Sequence, residues 1–125
     1  MKTFSINGAK PNVGHYSPAV QKGNLIFISG QLPIDPFSGE KCKGDITAQM
    51  KQVFSNLDHI LETVGVNKVD ILKTTVFIAD ISLWDTVNSL YKQYFGDHKP
   101  ARSIVPTNEL HHGVAIEIEA IAYKD

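Results

Sequence analysis

The chain reads as an α+β fold: one mixed sheet with two helices packed on one of its faces. Three observations predict this. Apolar residues recur at steps of three and four over two stretches, which puts a stripe along each of two helices. Short runs that are rich in β-branched residues, or that alternate polar with apolar, fill the intervals. The resulting order β-β-β-α-β-α-β-β closes most simply as a single sheet. At 125 residues the chain has the length of one domain, 1–125, with no room for a second core.

Each element has its own signal. Short strands are expected at Lys2–Ile6 and Ala19–Lys22, then an apolar strand at Leu25–Ser29 bounded by Gly23-Asn24 and Gly30. From Ile46 the apolar positions are Met50, Val53, Phe54, Leu57, Ile60, Leu61 and Val64, with Asp45 placed as the N-cap and Gly65 as the glycine that ends the helix. Ile71–Ala79 is the next strand. A second helix is expected from Ser82, capped by that serine in a box-like pair with Asp85, with Val87, Leu90, Tyr91 and Tyr94 inward and Gly96 as the stop. After the break at Lys99-Pro100 come strands at Arg102–Thr107 and Ala115–Tyr123.

Two helices cover only one face of such a sheet. Yet Leu25–Ile28 and Val76–Ile78 are apolar at consecutive positions, whose side chains point to opposite faces. The second face therefore calls for a cover, and self-association is the simplest. A hydrophobic content of 42% with 20% charged residues excludes disorder. A net charge of -1 leaves no electrostatic footprint for nucleic acid. Met1–Gly8 lacks the apolar segment of a secretory signal, and no run approaches the ~20 apolar residues of a membrane helix. Cys42 is the only cysteine, so no intramolecular disulfide can form and a cytoplasmic location is expected. It sits between Lys41 and Lys43 with no base nearby in sequence, as an ordinary thiol.

Few residues suggest chemistry on their own. Arg102, in Pro100-Ala-Arg-Ser103, offers a planar fork for a carboxylate, although a lone arginine is more often a surface charge. Alternation puts Ile116, Ile118, Ala120 and Ala122 on one face and Glu117, Glu119 and Ile121 on the other. A carboxylate on a covered face must be paired or used. Tyr16 lies in the irregular Gly14-His-Tyr-Ser-Pro18, and Ser29-Gly30-Gln31 ends a buried strand where glycine permits close backbone approach. The histidines show no ligand spacing, and adjacent His111 and His112 would point apart in an extended chain; no metal site is expected. Phosphate-binding and dinucleotide glycine motifs are absent.

Taken together, Pro100-Ala-Arg-Ser103 followed by Glu117 in Ile-Glu-Ile-Glu-Ala resembles the RidA/YjgF family of enamine/imine deaminases. Gly14-x-Tyr-Ser17, Ile28-Ser-Gly-Gln31, Lys73-Thr-Thr-Val-Phe77 with Asp80, and Thr86-Val-Asn88 follow the same order over nearly the whole chain. The resemblance implies a chorismate-mutase-like fold, a homotrimer with clefts between subunits, and no cofactor. It implies hydrolysis of short 2-imino acids, formed from 2-aminoacrylate or 2-aminocrotonate, to 2-oxo acids and ammonia, which clears reactive metabolites. It further implies that Arg102 binds the substrate carboxylate, that Glu117 handles a water or proton, and that Tyr16, Ser29, Gly30 and Asn88 line the pocket. The sequence departs from the family pattern at His15, usually proline, at Pro18, often glutamine, and at Ile104, commonly a small or thiol/hydroxyl residue in the pocket. Glu109–Gly113 replaces a loop that is basic and proline-containing in many relatives. The alternative on the same trimeric fold is a non-catalytic module that binds a small carboxylate and reports it to a partner. RNA cleavage is disfavoured by the charge balance.

Overall fold

A computed structural model describes residues 1–125. Its strands are β1 (Lys2–Phe4), β2 (Ala19–Lys22), β3 (Leu25–Gln31), β4 (Ile71–Ile78), β5 (Ala101–Pro106) and β6 (Ile116–Tyr123), and its helices are α1 (Ile46–Val64) and α2 (Trp84–Phe95). All six strands form one sheet in the order β1-β2-β3-β6-β4-β5. The expected α+β class and element order hold, with strand ends displaced by a residue or two.

Helix α1 has the expected boundaries for the expected reasons. The Asp45 carboxylate accepts a hydrogen bond from the Ala48 N–H at 3.0 Å. At the other end Gly65 takes φ 81°, and its N–H reaches back to the carbonyls of Leu61 and Glu62. Helix α2 begins at Trp84, two residues later than Ser82. The reason is a competing cap: Asp80 accepts from the Ser82 N–H at 2.8 Å and turns Ile81–Leu83 into a short 3₁₀ segment. Ser82 is thus the residue capped, and α2 has no side-chain cap of its own.

Strands β3 and β4 flank β6, each antiparallel to it, so α1 is a crossover that leaves a gap for the last strand. β4 and β5 form the single parallel pair, joined through α2. This second crossover sets α2 over the β4–β5 edge. The face under the helices is the core: Ile26, Ile28, Val76, Ile78, Ile116, Ile118, Ala120 and Ala122 pack with Met50, Val53, Leu57, Ile60 and Leu61 of α1. Burying each large side chain there contributes roughly 1.5–3 kcal/mol before the cost of ordering it. The opposite face is open in the single chain, with Leu25 (39%), Phe27 (43%) and Tyr123 (42%) exposed and Phe77 and Ile121 half-buried beside them. No helix is long and apolar enough to cross a membrane.

Candidate active site

The predicted site residues fall into two groups. The first gathers around Arg102. In the parallel ladder Thr74 stands opposite Arg102, and Val76 opposite Ile104. Thr74 and Val76 are fully buried on the helix side, so Arg102 and Ile104 point to that side as well. There the Arg102 Nη1 donates to Asn88 Oδ1 of α2 at 2.9 Å. The guanidinium carbon lies 4.8 Å from the centre of the Tyr91 ring and 5.7 Å from that of Trp84. The Tyr91 hydroxyl is in turn hydrogen-bonded to Thr74 Oγ1 at 2.8 Å. Burial raises the Tyr91 pKa, an effect opposed by the hydrogen bond to Thr74 and the charge of Arg102. The phenol therefore stays neutral beside the cation. Ile104, two residues along the strand, is partly buried against the core.

The second group surrounds Glu117 on the open face. Pairing of β3 with β6 shifts register between Ile28 and Gln31, so Ser29 and Gly30 form a bulge. Ser29 is tied elsewhere: its N–H donates to the Pro18 carbonyl at 3.0 Å and its hydroxyl to the Ser17 carbonyl at 2.7 Å. These bonds draw the Tyr16–Pro18 segment alongside the bulge, with Tyr16 half exposed (56%). The Glu117 side chain lies against Gly30, where a methyl group would stand 2.6 Å from Oε2. Burial, followed by the neighbouring Glu119, pushes the Glu117 pKa above the usual carboxylate range, while His111 pulls it down. A carboxyl so placed holds its proton at higher pH than an exposed one.

Within one chain the two groups do not meet. Arg102 and Ile104 sit under α2 at the sheet edge, with Asn88 of that helix above Arg102, and Ser29, Gly30 and Glu117 sit on the other face. Adjacent His111 and His112 do not point apart: their ring centres are 3.8 Å apart. The cause is a turn over His111–Gly113 with His112 at φ 62°. No three His, Cys, Asp or Glu side chains converge on a common point. Trp84 and Tyr91 border Arg102, although sequence reasoning did not single them out for the candidate site. Their signal was present, since Trp84, Asn88 and Tyr91 are spaced four and three apart and so share one helix face.

Known proteins share both the sequence and the fold. A family model described as endoribonuclease L-PSP matches residues 7–124. A RutC family protein of Pyrococcus horikoshii is 48% identical over 98% of this chain and 96% of its own length. The 2-iminobutanoate/2-iminopropanoate deaminases of Escherichia coli K12 and Homo sapiens are 41% and 43% identical, covering 98% and 97% of this chain and 98% and 88% of theirs. The crystal structure of the E. coli YjgF gene product superposes with a TM-score of 0.91 over 100% of both chains at 41% identity. With sequence, fold and the order of its strands and helices in agreement, the chain belongs to the endoribonuclease L-PSP family, the RidA/YjgF family that includes those deaminases.

Proposed function

We propose that this protein hydrolyses short 2-imino acids, and the enamines 2-aminoacrylate and 2-aminocrotonate from which they arise, to 2-oxo acids and ammonia. We further propose that each site is shared between neighbours in a homotrimer. The observation that carries this reading is the division of the site. Arg102 and Glu117 point to opposite faces of one sheet, so a single small substrate can touch both only when a second copy lays its open face beside the Arg102 edge. The exposed Leu25, Phe27 and Tyr123 give that face a reason to be covered, and the names of the deaminase relatives supply the reaction class.

In this scheme Arg102 grips the substrate carboxylate through paired N–H donors and fixes the C2 carbon in place. Protonated Glu117 delivers its proton to C3 of an enamine, giving the iminium. The resulting carboxylate then takes a proton from the water that adds to C2, so the glutamate ends as it began. Collapse of the carbinolamine breaks the C2–N bond and releases ammonia and the 2-oxo acid. Tyr16, with Ser29 and Gly30 beside it, orients the water or the amine, Asn88 holds Arg102, and Ile104 limits the space left for the substrate side chain.

The test is ammonia release from enzymatically generated 2-aminoacrylate, against buffer alone. Arg102→Ala is expected to be no faster than buffer and Glu117→Gln to lose most turnover. When the two variants are dissociated, mixed in equal amounts and reassembled, roughly a quarter of the parental activity should return, because half the sites draw an intact arginine and half of those an intact glutamate. Parental rates in Arg102→Ala would overturn the reading. Tight 2-oxo acid binding by a parent that never outpaces buffer would assign the chain to the non-catalytic binding modules.

A further inference from the structure

Resting on the proposed role of Arg102 as the carboxylate ligand, we infer that Trp84 is a positioning residue: with Tyr91 it holds the guanidinium by its faces, leaving the edges for the substrate. A guanidinium stacked on a ring uses its π-surface there, while its N–H donors lie in plane and stay free. Asn88 Oδ1 takes one Nη1 donor at 2.9 Å and thereby fixes the rotation of the fork. The remaining donors form the edge that matches a carboxylate.

The two rings have different duties. Tyr91 is 6% exposed, anchored to Thr74 at 2.8 Å and packed into the core, so it is a fixed floor. Trp84 is 36% exposed at the first position of α2, with its ring centre 5.7 Å from the guanidinium carbon. It is the more exposed of the two rings. Trp84, Asn88 and Tyr91 occupy one face of α2, so a single rigid element carries the side chains that orient the arginine. A lysine at position 102 could use neither the rings nor the fork in this way.

Trp84 is the only tryptophan in the chain, so tryptophan emission arises from this position alone. Titrating 2-oxobutanoate, a stable product-like carboxylate, into the assembled protein should change the tryptophan emission saturably, with the same midpoint as calorimetry. Arg102→Gln should abolish both signals. Trp84→Leu, which removes the ring without opening the core, should raise Kd for 2-oxobutanoate and KM for the imine about five- to twenty-fold, with kcat within about twofold. Trp84→Phe should recover most of the loss, because it restores an aromatic face. Unaltered Kd and KM in Trp84→Leu, with Arg102→Gln unable to bind, would overturn the role of Trp84 and leave that of Arg102 standing. Equal losses of kcat and thermal stability in the Leu and Phe variants would also overturn it, since they mark a packing role. Binding of 2-oxobutanoate by Arg102→Gln as tightly as by the parent would overturn the arginine's role first.

Discussion

Gly30 and Glu117 are placed so that one excludes a side chain where the other keeps its carboxylate. The methyl of an alanine at position 30 would stand 2.6 Å from Oε2 and 2.9 Å from Cδ of Glu117. The obstacle is the end of a flexible side chain, so the fold can absorb the change by swinging the carboxylate away. Gly30→Ala is therefore expected to melt within about 2 °C of the parent while imine hydrolysis falls about tenfold or more, because the carboxyl proposed as proton donor is misplaced by an ångström or so. Thermal melts and ammonia assays on the same preparation check both halves. At this scale much was legible in the sequence. A glycine at a strand end admits close approach, and alternation in Ile116–Tyr123 put Glu117 on the face away from the core. The close approach of the His111 and His112 rings was not legible, because it depends on a positive φ at a residue other than glycine or asparagine.

The helices show where local signals suffice and where they compete. Helix α1 begins at a single unopposed cap, and Asp45→Ala should cost about 1 kcal/mol of stability, read as a lower denaturation midpoint with an unchanged slope. Because Asp45 lies outside both groups of site residues, turnover per folded molecule should stay at the parental level. Helix α2 starts later than its serine suggests because two capping residues, Asp80 and Ser82, lie within one turn of each other. The first in line captures the free N–H of the second. The apolar stripe of α2 was readable, but its other duty was not. That Trp84, Asn88 and Tyr91 face Arg102 follows from the crossover that carries α2 over the β4–β5 edge, a long-range fact absent from any local window.

At the scale of the molecule, the doubly apolar strands announced a second face in need of cover, and the sheet displays it: Leu25, Phe27 and Tyr123 stand out from it. Phe27→Glu places a charge there without touching the core, so the variant should keep its far-ultraviolet dichroism yet sediment as a smaller species than the parent. A parental sedimentation coefficient would assign the face to solvent. What no pattern along the chain could reveal is that Arg102 and Glu117 lie back to back, since their relative side depends on the register of β5 against β4. That arrangement ties chemistry to mass action. If a lone chain is half a site, turnover per chain is a function of protein concentration, falling on dilution as neighbours separate. Under the proposed scheme a 2-oxo acid held between two chains would bind only their joined form and carry the assembly to greater dilution, so that the product of the proposed reaction would stabilise the assembly that makes it.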